Sequence, residues 1–77
     1  MVDLVVDAIG LKCPLPILRA HKSLKKLSKG ETMRVFSSDP GSVKDFEVFC
    51  RETGNELLRF EEKRGVFSFL IRRNNYT

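Results

Sequence analysis

Apolar positions along the chain fall into two spacings, alternate residues and every third or fourth residue, and the switches between them mark six elements. Val2-Asp3-Leu4-Val5-Val6-Asp7 has the β-branched content of a strand. Gly10 breaks that pattern, and Pro14 suits the first position of a helix, where no N–H is needed. The spacing predicts a helix from Pro14 to about Leu27, closed by Gly30. Glu31 to Ser37 reads as a second strand. Asp39-Pro40 reads as a helix start, with a side-chain acceptor at the cap and proline next, and the helix is expected from Pro40 to about Thr53 with Gly54 as its stop. Asn55 to Glu62 and Val66 to Arg73 read as two more strands joined by a hairpin turn at Lys63-Arg64-Gly65. The tail, residues 73–77, is expected to fray.

The order β-α-β-α-β-β predicts a single α/β domain over residues 1–77. Right-handed strand–helix–strand crossovers place both helices on one face, so the expected architecture is a two-layer α/β sandwich with a four-stranded mixed sheet. In parallel units the loops after the first and second strands lie along one edge of the sheet. Cys13 and Asp39 should therefore meet there, at helix N-termini, where open α/β folds tend to bind ligands.

At 77 residues the chain buries only about 60–65% of its unfolded surface, so chemistry belongs on a surface loop rather than in a deep cavity. A hydrophobic content of 42% with 31% charged residues fits a soluble globular domain and argues against disorder. Nothing in the chain resembles a secretion signal or a membrane span, so a cytoplasmic location is expected, with free thiols. Two cysteines and one histidine lack any recognisable metal-ligand spacing, and neither metal nor cofactor is expected. The net charge of +4 fits an acidic protein surface or a nucleic acid as partner, and equally plain solubility.

The two cysteines differ in setting. Val43, Phe46, Cys50 and Thr53 share one side of the second helix, which reads Cys50 as a small core hydrophobe, or alternatively as a resolving or relay thiol. Cys13 precedes Pro14-Leu15-Pro16 at a helix start. There the positive end of the helix dipole, Lys12 and Arg19 are expected to favour thiolate, the nucleophilic form. On these grounds alone a nucleophile and a plain helix cap are both open. His21, the single histidine, lies two turns into the helix, too far along to serve Cys13 as a base, and reads as a flanking or partner-contact residue. A Cys–His hydrolase is disfavoured, and the lack of C-x-x-C excludes a thioredoxin-type dithiol. One nucleophilic sulfur without acid–base helpers suits the carrying of a group.

The run Asp7-Ala8-Ile9-Gly10-Leu11-Lys12-Cys13-Pro14-Leu15-Pro16 resembles the G-L-x-C-P-x-P signature of the TusA/SirA-like sulfur-carrier family. Ser38-Asp39-Pro40-Gly41-Ser42 with Lys44-Asp45-Phe46, the run from Phe49 to Leu58, and Phe69-Leu70-Ile71-Arg72-Arg73 are similar to later family segments. The resemblance implies a fold like the C-terminal domain of translation initiation factor 3. It implies a sulfurtransferase in which Cys13 accepts sulfane sulfur as a persulfide from a cysteine desulfurase or other donor and passes it to an acceptor protein. Gly10, Leu11, Pro14, Pro16 and Asp39 would shape the loop. The best-known route ends in tRNA 2-thiouridine; others serve molybdenum cofactor synthesis, sulfur oxidation or selenium metabolism. A monomer forming transient complexes fits such a role.

Arg19, Lys22 and Lys26 fall at similar angles on the first helix and, with Lys12 and His21 near them, read either as a face that docks acidic partners or as a plain solvated face. The competing readings are a nucleic-acid-binding module, which lacks an RNA-binding aromatic motif on the sheet, and a regulatory partner without chemistry. Loss of function in Cys13→Ala separates a carrier from both.

Overall fold

The computed structural model describes residues 2–74. Its elements are β1 (Leu4–Ala8), α1 (Leu15–Leu24), β2 (Thr32–Ser37), α2 (Ser42–Thr53), β3 (Glu56–Lys63) and β4 (Val66–Arg72). The four strands form one sheet in the order β1-β2-β4-β3. β1 and β2 are parallel, while β4 is antiparallel to both β2 and β3, so the sheet is mixed as expected.

Alternation decides which face is covered. Val6 and Ala8 of β1, Met33 and Val35 of β2, and Phe69 and Ile71 of β4 point to one side. Against them pack Ala20 and Leu24 of α1 and Phe46 and Cys50 of α2, which makes the two-layer sandwich. α1 lies over β1 and β2, and α2 over β4 and β3. Phe46 and Phe69 stack with centroids 4.5 Å apart at the centre of this layer, both fully buried. Burial of such a side chain stabilises the fold by about 1.5–3 kcal/mol.

The hairpin between β3 and β4 closes on two residues, Arg64 and Gly65, at φ 53° and 81°. Both left-handed values match the turn that continues the right-handed strand twist. Gly54, at φ 75°, ends α2 in the left-handed conformation expected of a stop.

Most element ends fall within one or two residues of expectation, and three differences carry a physical reason. α1 is helical only to Leu24; Lys26 and Leu27 continue in tighter turns through bonds to the carbonyls of Ser23 and Leu24. α2 begins at Ser42 rather than Pro40; its cap position is Gly41, and that residue provides no side-chain cap. Arg73 and Asn74, expected in the frayed tail, are tied down. The Arg73 guanidinium donates to the Leu24 and Leu27 carbonyls at the end of α1, where a cation also opposes the helix dipole. The Asn74 N–H donates to Asn55 Oδ1 at 2.9 Å. The rest of that tail, residues 75–77, lies outside the described residues.

Candidate functional site

The parallel pairing of β1 and β2 brings the loops that follow them to one edge, and three hydrogen bonds sew these loops together. Gly10, at φ 87°, turns the chain out of β1, and its N–H donates to Ser38 Oγ at 2.8 Å. The Cys13 N–H donates to Asp39 Oδ2 at 2.9 Å. The Cys13 thiol donates to Asp45 Oδ2 at 2.6 Å, reaching across to the first turn of α2. Asp39 also accepts weakly from the Gly41 N–H at 3.3 Å, while its carbonyl accepts the Ser42 hydroxyl at 2.6 Å.

Leu11 anchors the first loop by packing against the core, and its N–H donates to the Ala8 carbonyl at 3.2 Å. Pro14 follows Cys13 through a cis peptide and occupies the cap position of α1; Pro16 is buried in the first turn. The buried Pro16 thus anchors the start of α1, while Cys13 and Pro14 stay exposed.

Two expectations about Cys13 are corrected. Its sulfur does not cap α1, whose start has no side-chain cap; it faces α2 instead. Nor is the free thiol tuned toward thiolate. Its pKa is raised above the ordinary value, first by the hydrogen bond to Asp45, then by partial desolvation and by the negative charges of Asp45 and Asp39. A carboxylate in contact with the sulfur outweighs a helix end and a neighbouring lysine that make no such contact. Asp45 itself is well placed where it is, since the positive end of α2 favours an acid in its first turn.

Cys50 is 4% exposed, inside the core, and burial pushes its thiol up to about 11. It belongs to the core cluster that packs α2 against the sheet.

The basic residues divide. Arg19, Lys22 and Lys26 line one open groove with Val5, Val6, Asp7, Leu11, Leu15, Leu18 and Ser23, between α1 and the free edge of β1. None of the three makes an ion pair among the described residues. Leu15 and Leu18 are about half exposed there, at 47% and 57%. His21 lies apart from that lining and sets its ring edge-on to Phe49 of α2, with centroids 5.8 Å apart. Lys12 is exposed beside Cys13 but is not in the groove lining either. Among the described residues no cluster of three or more His, Cys, Asp or Glu side chains is placed to hold a metal ion, and no helix is long and apolar enough to cross a membrane.

Two contributors escaped the sequence reading. Ser38 and Asp45 lay inside segments quoted for their family likeness but carried no role. A signal for Asp45 existed: the first turn of α2 had to face the edge that Cys13 occupies.

The profile of the family described as Sulfurtransferase TusA matches residues 4–73, nearly all of this fold and the whole site. The chain belongs to the TusA family. It is 53% identical over 72 residues to the sulfur carrier protein TusA of Allochromatium vinosum, covering 94% of this chain and 95% of that one. A putative sulfur carrier protein of Neisseria meningitidis is 48% identical, with 86% of this chain and 89% of that one covered. The crystal structure of a SirA-like protein from Desulfitobacterium hafniense superposes with a TM-score of 0.83 at 27% identity, over 95% of this chain and 100% of that one. Membership of a family of sulfur carriers implies a donor and an acceptor in a relay.

Proposed function

We propose that the protein is a sulfurtransferase that receives sulfane sulfur on Cys13 as a persulfide and hands it to a cysteine of an acceptor protein. The observation that carries this reading is the exposed Cys13, held on a cross-tied loop edge while the other thiol is buried. Acceptance has a simple balance. The Cys13 sulfur attacks the outer sulfur of the donor persulfide, a new S–S bond forms, the donor's S–S bond breaks, and the donor cysteine leaves as a thiolate that takes up the Cys13 proton. No external oxidant or reductant enters. Because the resting thiol is held protonated, that proton leaves within the donor complex.

Arg19, Lys22 and Lys26, with the apolar Leu15 and Leu18 between them, form the docking surface in this reading. They are suited to an acidic, partly apolar patch surrounding the donor's or acceptor's cysteine. The pathway we put first is 2-thiouridine synthesis on tRNA in the cytoplasm, with a PLP-dependent cysteine desulfurase as donor; the family resemblance supports it. No cofactor is needed on the carrier itself, because the cargo is bound covalently.

Intact mass after incubation with a cysteine desulfurase, PLP and cysteine tests the reading. The expected result is a reductant-sensitive gain of one sulfur atom that disappears in Cys13→Ala. The absence of any gain with a desulfurase, a rhodanese or a small persulfide would overturn it. Loss of tRNA 2-thiouridine in cells whose only copy is Cys13→Ala is the expected sign of the tRNA route; unchanged thiolation would exclude that route.

A further inference from the structure

The contact between Cys13 Sγ and Asp45 Oδ2, at 2.6 Å, is where the loaded and empty forms of the carrier must differ most. In the empty form the thiol has a proton to give, and a charged acceptor makes the stronger hydrogen bond. In the loaded form the sulfur chain is longer by one atom and, a persulfide being more acidic than a thiol, its end is anionic near neutral pH. The same carboxylate then faces a negative charge. The charged groups acting on this sulfur are Asp45 from α2 and Asp39 from the β2–α2 loop, both negative; Lys12 adjoins it in the chain and Arg19 lies further along α1.

We propose that Asp45 sets the sulfur-transfer equilibrium of the carrier, favouring the empty thiol by hydrogen bonding and opposing the loaded anion by charge, so that Cys13 gives sulfur away readily. This rests on the carrier reading above. Asp45 touches the reacting atom, yet its role here is in the balance of the two end states rather than in forming the new bond. The exchange is Cys13–SH plus a donor R–S–SH giving Cys13–S–SH plus R–SH, with one S–S bond formed, one broken and no net redox change. A carrier poised in this way loads only from a strong donor or in large excess, and empties onto any acceptor cysteine whose persulfide is better stabilised.

The experiment equilibrates the intact protein with a buffered mixture of glutathione persulfide and glutathione, quenches by alkylation and reads the loaded fraction by mass. Wild type is compared with Asp45→Asn and with Glu47→Gln, an exposed acid on the same helix whose loss changes net charge equally. The expected result is a severalfold rise in the loaded-to-empty ratio for Asp45→Asn at neutral pH, and no rise for Glu47→Gln. The gap should narrow at acid pH, where the persulfide is neutral, and again at alkaline pH, where both forms are charged. It should also shrink at high salt, since the site is exposed. In parallel, the midpoint of Cys13 alkylation against pH should fall in Asp45→Asn, a change that a merely structural role would not produce. Should the Asn variant unfold, Asp45→Ala or Asp45→Ser serves, checked by thermal melting. Normal loading of wild type with an unchanged ratio in a folded Asp45 variant would overturn this proposal and leave the carrier reading standing. Failure of wild type to load at any persulfide excess, with Cys13 still alkylated, would overturn both.

Discussion

Cys13 and Cys50 both have thiols pushed toward the neutral form, and by opposite means. Cys50 is enclosed by the core, so water cannot stabilise its thiolate. Cys13 stands in solvent and is held neutral by a neighbour, the Asp45 carboxylate. Burial is undone only by opening α2, whereas a side-chain contact is undone by a rotamer change or by a partner's charge. Accessibility and protonation are therefore separate properties in this fold. A site that must be quiet when alone and reactive in a complex fits the second arrangement.

The largest effect that bears on this comparison is chemical. Iodoacetamide should alkylate Cys13 in the native protein ~100-fold or more faster than Cys50, with the two rates converging in denaturant; peptide mapping after timed quenching measures it. Comparable native rates would mean that α2 opens easily and that Cys50 is available to a relay.

Stability should separate the same two regions. Phe46→Ala, beneath the turn of α2 that carries Cys50, is expected to cost about 3–5 kcal/mol in chemical denaturation. Cys13→Ala should stay within about 1 kcal/mol of wild type, because an exposed side chain leaves no cavity and water replaces its hydrogen bond to Asp45.

Cys50→Ala is expected to cost about 1–2 kcal/mol in lost packing and to leave sulfur loading intact. Its pH dependence sharpens the point. Below the ordinary thiol value of 9.0 both folded and unfolded chains keep the Cys50 proton, and the full contribution is present. Between 9.0 and about 11 the unfolded chain releases that proton while the folded chain keeps it, so stability falls as pH rises, and the loss is complete above the folded value. The difference between wild type and Cys50→Ala should thus shift against wild type by roughly 3 kcal/mol across that window. A flat difference would show that Cys50 is less enclosed than the packing indicates.

The smallest effect concerns docking. Reversing Lys22 and Lys26 to Glu should slow sulfur acceptance from a desulfurase, with each side chain contributing about 0.5–2 kcal/mol to binding, most visibly at low salt. Loading from glutathione persulfide should be unaffected, since a small donor needs no docking surface. Unchanged desulfurase rates would remove the groove from the interface.

Much of the fold was legible because its signals are local. The Cys13-Pro14-Leu15-Pro16 turn, the Gly54 stop and the Arg64-Gly65 hairpin each rest on the dihedral preferences of one or two residues. The division between the thiols was legible too, because Cys50 sits on the apolar side of a helix and Cys13 does not. The misjudged features depend on distant partners. Asp39 looked like a cap for α2 and instead holds the Cys13 amide; Arg73 looked like loose tail and instead meets the carbonyls ending α1.

The sequence by itself determined the order of elements, the exposed cysteine and the edge on which it stands, since periodicity, proline and glycine act over a few residues and parallel crossovers leave little topological choice. Only the tertiary structure decided the state of that cysteine. Asp45 is 32 residues away along the chain and in contact across the fold. Electrostatic interaction follows distance in space, so the two nearby carboxylates, rather than the helix start and lysine adjacent in sequence, set the thiol's protonation.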